Sequence, residues 1–357
     1  LEDAGKRPEI VEIPYPLMQI MYQHGKIEPL NITEPDLQDL VVKAPDGSVI
    51  GVKAKINPLV VYYNRDMFDV MGLEHPSEDW DWNMLDQTIA ALKAAKYKVH
   101  IMMSPFTLEW LAMNRYGGRI SDPVNMMFAG YLDGERSVQA AEWFAWVGTK
   151  REDFDHAVPQ TSMTTMPYVL INGAAALSVD YAHRLHGRFH YEHIIEQNDR
   201  IAIAPLPGGI DTRNLAQVTG LAVLSGSANK GDAMQLLRHL LKDRDQYWQD
   251  MAAYSMQGWQ GTELQKDMPD PERTSIILQE MKRSEPSSLF FSENHLSGWN
   301  YNTPYIYPQF REIMDGTPPR QALEHYAQQL DALFGSFLQD PEAYGKCVRD
   351  KGSLCAY

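Results

Sequence analysis

Residues 59–95, LVVYYNRDMFDVMGLEHPSEDWDWNMLDQTIAALKAA, constrain the fold more than any other stretch of the chain. Leu59–Tyr63 is an unbroken apolar and aromatic run of the kind that forms a strand buried on both faces. Asn64 suits the turn after it, and Gly72 can close a short helix in the left-handed conformation that residues with a Cβ avoid. Pro76 stops that helix from resuming. Asp81 is a good N-cap for a second helix, whose Leu85, Ile89 and Leu92 share one face. Tyr62 and Tyr63 read as core, and Trp80 and Trp82 as a lid over the helix they introduce.

The same alternation of strand and amphipathic helix continues along the chain and predicts an α/β fold. Strands are expected at Glu9–Ile13, Val49–Lys55, Val99–Met103, Ala175–Val179, Arg200–Ala204 and Leu221–Leu224. Helices are expected at Met18–His24, Thr107–Tyr116, Val138–Thr149, Met163–Ile171 and Asp232–Lys242. Tyr307–Asp315 and Arg320–Leu338 read as a helical hairpin entered through Pro318-Pro319. Residues 246–300 show no clear period. The 357 residues suffice for two domains with a core each.

Against 32 basic side chains stand 47 acidic ones, a net charge of −15 that opposes binding to a phosphate backbone. Nucleic acid is therefore not an expected partner. No apolar run approaches the roughly 18–20 residues that span a bilayer, and the first residues lack a basic-then-apolar leader. Any membrane association is expected through a lipid or a membrane partner. Cys347 and Cys355 lie eight apart; a local disulfide and two free thiols both fit.

Five segments, in this order, carry a resemblance: 59–95; Tyr168–Asp180, YVLINGAAALSVD; Ile201–Val223, IAIAPLPGGIDTRNLAQVTGLAV; Ser227–Leu241, SANKGDAMQLLRHLL; and Phe310–Leu333, FREIMDGTPPRQALEHYAQQLDAL. Together they resemble the extracellular solute-binding proteins of ABC importers, in particular the sugar-type family 1 group typified by maltose-binding protein. The resemblance implies a two-lobed periplasmic-binding-protein-like fold with a hinge and an interlobe cleft. Lobe one is expected at 1–56 plus 226–284 and lobe two at 57–225 plus 285–357, with the chain crossing near Ile56-Asn57, Ser225 and Glu285. Family members carry a strand, a helix and a second strand ahead of the segment matched by Arg7–Leu30, so the first lobe is expected to be incomplete. The implied function is capture of a carbohydrate, an oligosaccharide above all, and its delivery to ABC permease subunits. The implied setting is the extracellular face of the membrane, as a lipid-anchored monomer, or the periplasm.

A sugar presents apolar C–H faces and a rim of hydroxyls, so its site needs flat rings beside hydrogen-bonding side chains. The ligand-binding candidates stand after strands or before helices, where ligands gather in open α/β sheets. They are Tyr15 after the first strand, Phe106 and Trp110 after the strand ending at Met103, and Asp180, Tyr181 and His183 after the strand ending at Val179. Trp299, Asn300 and Tyr301 precede the closing hairpin. Phe106 and Trp110 are four apart and could equally pack on the sheet.

His183, His186, His190 and His193 lack a completing carboxylate or Cys pattern and are broken by Gly187, so no metal is expected. No cofactor is expected either: the phosphate-loop and dinucleotide fingerprints are missing, as are the nucleophile-elbow and zinc-helix motifs. The chain is thus expected not to be an enzyme. A glycoside hydrolase with paired carboxylates stays open, because carboxylate separation is a spatial quantity. A surface binding module without a transport role is the other alternative.

Overall fold

The computed structural model describes residues 8–101, 105–122, 124–125, 127–149, 166–171, 173–182, 200–256, 271–287 and 308–339. Its strands are β1 (Ile10–Pro14), β2 (Val41–Lys43), β3 (Val49–Asn64), β4 (Val99–His100), β5 (Leu177–Tyr181), β6 (Ile201–Ala204), β7 (Asn214–Val223) and β8 (Ser284–Pro286). Early helices are α1 (Tyr15–Gln23), α2 (Arg65–Met71), α3 (Trp82–Ala94), α4 (Pro105–Asn114), α5 (Glu135–Val147) and α6 (Met166–Ile171). Later ones are α7 (Lys230–Leu240), α8 (Arg244–Met256), α9 (Pro271–Lys282), α10 (Pro308–Met314) and α11 (Pro319–Gln339).

β3 organises the whole. Where two strands, Val49–Lys55 and Leu59–Tyr63, are expected, one strand of 16 residues runs through. Its first part pairs with β2 on one edge and antiparallel with β7 on the other, down to Pro58 opposite Ala216. From Leu59 onward it pairs antiparallel with β5, and from Val61 with β6. Pro58 thus stands at the changeover of partners, where its absent N–H costs the ladder least. β7 in turn carries antiparallel β1 and parallel β8 on its other edge.

The strand alternation in β3 is resolved into two cores. Leu59, Val61 and Tyr63 join Leu85, Ile89 and Leu92 of α3 and Trp110, Phe144 and Tyr326 of α4, α5 and α11. Val60 and Tyr62 face the other way, toward Leu237, Trp248 and Ile277 of α7, α8 and α9. Tyr62 is fully buried, and its hydroxyl donates to the carbonyls of Tyr181 and Ala182 at 3.0 Å each.

The local chemistry of 59–95 plays out as its sequence dictates. The Asn64 side chain accepts from Met67 N at 3.2 Å and caps α2, which Gly72 ends at φ 63°. Asp81 accepts from Met84 N at 2.8 Å and caps α3. Trp80, before α3, and Trp82, its first residue, are both buried, as are Tyr62 and Tyr63.

Elsewhere the boundaries move. α1 begins at Tyr15, three residues early, because Pro16 occupies its first turn, where no N–H is needed. β5 runs two residues past Val179, taking in Asp180 and Tyr181 through pairing with Val60 and Leu59. β7 begins at Asn214, well before Leu221. Its Gly220 is no break: a Cβ there would meet the Met18 sulfur at 2.7 Å, so the glycine lets α1 pack onto the strand. The aperiodic region contributes α8 and α9.

Replacing Tyr62 by Phe removes the donor to two buried carbonyls. It should lower the unfolding free energy by about 1–3 kcal/mol, measurable as a lower urea midpoint with an unchanged slope.

Candidate functional site

A cleft of about 310 Å³ opens beside the lower end of β7. One wall is the first turn of α1, which sets Tyr15 and Gln19 one turn apart on the same face. The facing wall is α4 and the turn after it: Glu109 and Met113, again one turn apart, then Gly117 through Asp122. Asp211, Arg213 and Leu215 come from the entry to β7, and Glu285 and Pro286 from β8.

The cleft is lined by charge. Arg213 donates from Nε to both carboxylate oxygens of Asp211, at 2.8 and 2.9 Å, and its Nη1 lies 3.1 Å from Glu285 Oε1. This hydrogen bonding holds the Asp211 carboxyl below its ordinary value. Glu109 is nearly buried and accepts from Ser287 Oγ at 2.6 Å. Asp122 accepts from the backbone N–H groups of Val124 and Asn125 at 2.7 and 2.9 Å. Burial, followed by the Glu285 carboxylate, pushes the Tyr15 phenol up to about 12 against the opposing pull of Arg119. Its hydroxyl therefore keeps its proton throughout the neutral range while accepting from Gln19 Nε2.

The loop between β6 and β7 delivers Asp211 and Arg213 to this cleft, and its path is fixed by Asn114 at the end of α4. Asn114 is fully buried: its carbonyl accepts from Asp211 N at 3.1 Å and its Nδ2 donates to Arg213 O at 3.2 Å. Trp82 Nε1 donates to Asn114 Oδ1 at 2.8 Å and orients the amide. Gly209 lies flat on this group, where a Cβ would come within 2.3 Å of the Asn114 carbonyl and side-chain oxygens.

Of the residues singled out from sequence, Tyr15 lines the cleft. Phe106 and Trp110 do not; they turn into the core, with 4% and 0% exposure. Trp110 packs against Trp82 with ring centroids 5.1 Å apart, and Phe106 meets Tyr181 edge-on at 5.8 Å. Asp180 and Tyr181 belong to β5 and do not line this cleft; an Asp180 oxygen accepts from Tyr181 N at 2.7 Å. His183, Trp299, Asn300, Tyr301, Cys347 and Cys355 lie outside the described residues. Gln19, Glu109, Arg119, Asp211, Arg213 and Glu285 were not anticipated. Glu109 had a signal, as the one charged residue in the helix PFTLEWLAMN. Among the described residues no group of His, Cys, Asp and Glu is disposed to hold a metal, and no helix is long and apolar enough to cross a membrane.

A family model for bacterial extracellular solute-binding proteins matches residues 2–257. The chain belongs to that family. No curated protein matches this solute-binding protein in sequence. Its fold is similar to that of the sugar-binding protein MalE from Xanthomonas citri, with a TM-score of 0.65 at 15% identity over 97% of this chain and 87% of the other. It is also similar to an ABC substrate-binding protein from Listeria monocytogenes in complex with cycloalternan, with a TM-score of 0.61 at 15% identity over 94% and 87%. An extracellular solute-binding protein from Staphylococcus aureus in complex with maltose gives 0.62 at 13% identity over 92% and 84%. At such identities the likeness is one of fold: the two-lobed α/β architecture of the periplasmic-binding type.

Two outcomes follow for this solute-binding protein. Gly209→Ala should displace the 206–213 loop from Asn114 and cost about 1–3 kcal/mol of stability, seen as a lower melting temperature with altered amide signals for Asp211 and Arg213. The Asp211–Arg213 pair, whose carboxyl is depressed below 3.8, should hold at all pH above that value and release only as pH falls through the lowered one. Carboxylate titration by NMR should therefore place Asp211 below the ordinary aspartate value of 3.8.

Proposed function

We propose that the chain is the substrate-binding component of an ABC importer and that the 310 Å³ cleft takes a carbohydrate, an oligosaccharide in particular. The observation that carries this reading is the cleft itself. On a solute-binding fold, it sets donors and acceptors of both signs around a protonated phenol, chemistry matched to a ring of hydroxyls. Solved proteins of this fold are described as bound to cycloalternan, to maltose and to maltotetraose.

In this reading Tyr15 offers its ring to a sugar face, and Gln19, Glu109 and Arg119 exchange hydrogen bonds with hydroxyls. Arg213 and Asp211 form the paired floor. His183, Trp299, Asn300 and Tyr301 are further proposed contacts. The lobes are 1–56 plus 226–284 and 57–225 plus 285–357, and bound sugar stabilises their closed arrangement because only there does it touch both. The closed monomer is what the permease subunits recognise, at the extracellular face of the membrane, where a lipid anchor would retain it. The sugar leaves unaltered; no bond is made or broken.

A thermal-shift screen against mono- and oligosaccharides tests this. A sugar at about 100 times its dissociation constant adds roughly 2.7 kcal/mol of stability, and it should be recovered intact after long incubation. Cleavage of the sugar would instead establish a hydrolase, and no shift with any saccharide would sink the carbohydrate reading. Tyr15→Ala and Glu109→Gln should each weaken binding about tenfold or more, since each loses a partner in a desolvated site, as read by calorimetric titration.

A further inference from the structure

Beside the cleft floor lies a second group of charges that lines no part of the cleft, with Glu280 and Asn214 buried and the Arg283 side chain 24% exposed. Glu280 of α9 and Asn214 of β7 are both 0% exposed. Arg283, in the turn joining α9 to β8, donates from Nε to Glu280 Oε2 at 2.9 Å and from Nη2 to Oε1 at 2.5 Å. Asn214 Nδ2 donates to the same Oε2 at 2.5 Å and to the carbonyl of Leu59 at 2.7 Å. Burying the Glu280 carboxylate carries a desolvation cost even with a paired guanidinium, and an apolar side chain of similar volume is often no worse for stability. Its retention needs a use.

The remaining donors of Arg283 indicate one. Nη1 reaches the carbonyl of Thr212 at 2.9 Å and Nη2 that of Leu206 at 3.0 Å, the two ends of the loop that carries Asp211. Asn214 N donates to Arg283 O at 3.0 Å and ties the start of β7 to the same turn. From the opposite side Asn114 holds the tip of the loop. A planar guanidinium can bridge two carbonyls while staying paired to a carboxylate; an ammonium lacks that geometry.

We propose that Arg283, oriented by Glu280, is a positioning residue for the cleft. It closes the base of the Leu206–Thr212 loop and so sets where Asp211 and Arg213 meet a bound solute. The proposal rests on the reading of the cleft as the solute site. Because Arg283 sits two residues before Glu285, which pairs with Arg213 on the cleft side, displacement of the α9–β8 turn moves the cleft floor from below and above together.

Amide hydrogen exchange on the full chain tests this without any sugar. In Arg283→Ala, peptides covering 206–213 should exchange about tenfold faster or more, while peptides from α3 and α5 keep the wild-type rate. Millimolar guanidinium should restore protection to the loop, and sodium chloride at equal ionic strength should not. Arg283→Lys, which keeps the charge against Glu280, guards against a fold failure and should loosen the same peptides to a lesser degree. Unchanged exchange in the loop, or an equal rise in every peptide, would overturn the proposal and leave Arg283 as a general stabiliser. Loss of the carbohydrate reading would show separately, as a wild-type chain that no saccharide stabilises.

Discussion

One strand imposes the architecture. β3 runs 16 residues without a break and exchanges one set of partners for another at Pro58 and Leu59. Val49, Val52 and Ile56 of its first part, with Val60 and Tyr62 of its second, pack in the core of α7, α8 and α9; Leu59, Val61 and Tyr63 pack with α3, α4 and α5. A continuous strand keeps the two halves in one register. Asn214 marks the same point from the neighbouring strand, donating to the carbonyl of Leu59.

The cleft inherits its chemistry from that junction. β7 enters at Asn214 next to β3 and β8, so the residues just before it, Asp211 and Arg213, face the open side, and Asn214 faces the buried side. Charges thus stack in two layers. The upper, Asp211 with Arg213 and Glu285, is wet and available to a polar solute. In the lower, Glu280 and Asn214 are buried and Arg283 is partly so; burial pushes the Glu280 carboxyl up and its hydrogen bonds pull it back. Apolar residues in the lower layer would leave the carbonyls of Leu206 and Thr212 without their Arg283 donor, a cost comparable to that of the buried pair.

The parts of this legible in sequence are those set by local chemistry. Asn64, Gly72 and Asp81 act as cap, terminator and cap because each role depends on a few neighbouring atoms. Tertiary contacts decided the rest. Asn57-Pro58 looks like a break, but pairing with Gln217 and Ala216 carries the strand through it. β7 starts at Asn214 where the expected strand starts at Leu221, and Gly220 within it admits Met18. In α4 nearly every residue is apolar, so no period reveals which face is inward. Phe106 and Trp110 fill the core, and Glu109 between them is left to face the cleft. Asp180 and Tyr181, expected just beyond a strand, are held within β5 by pairing with Val60 and Leu59, a contact that their own neighbours in sequence do not reveal. Tyr15 directly follows β1, whose end lies one residue beyond the expected Ile13.

If the two halves turn about β3 and β7 to enclose a solute, occupation of the cleft must make the molecule more compact. Small-angle X-ray scattering, with and without a saccharide that raises the melting temperature, measures this directly. The radius of gyration should fall on saturation and the maximum dimension shorten, as for closure about a hinge. A saccharide that stabilises the chain yet leaves the scattering curve unchanged would contradict closure, and would show that binding engages one half alone.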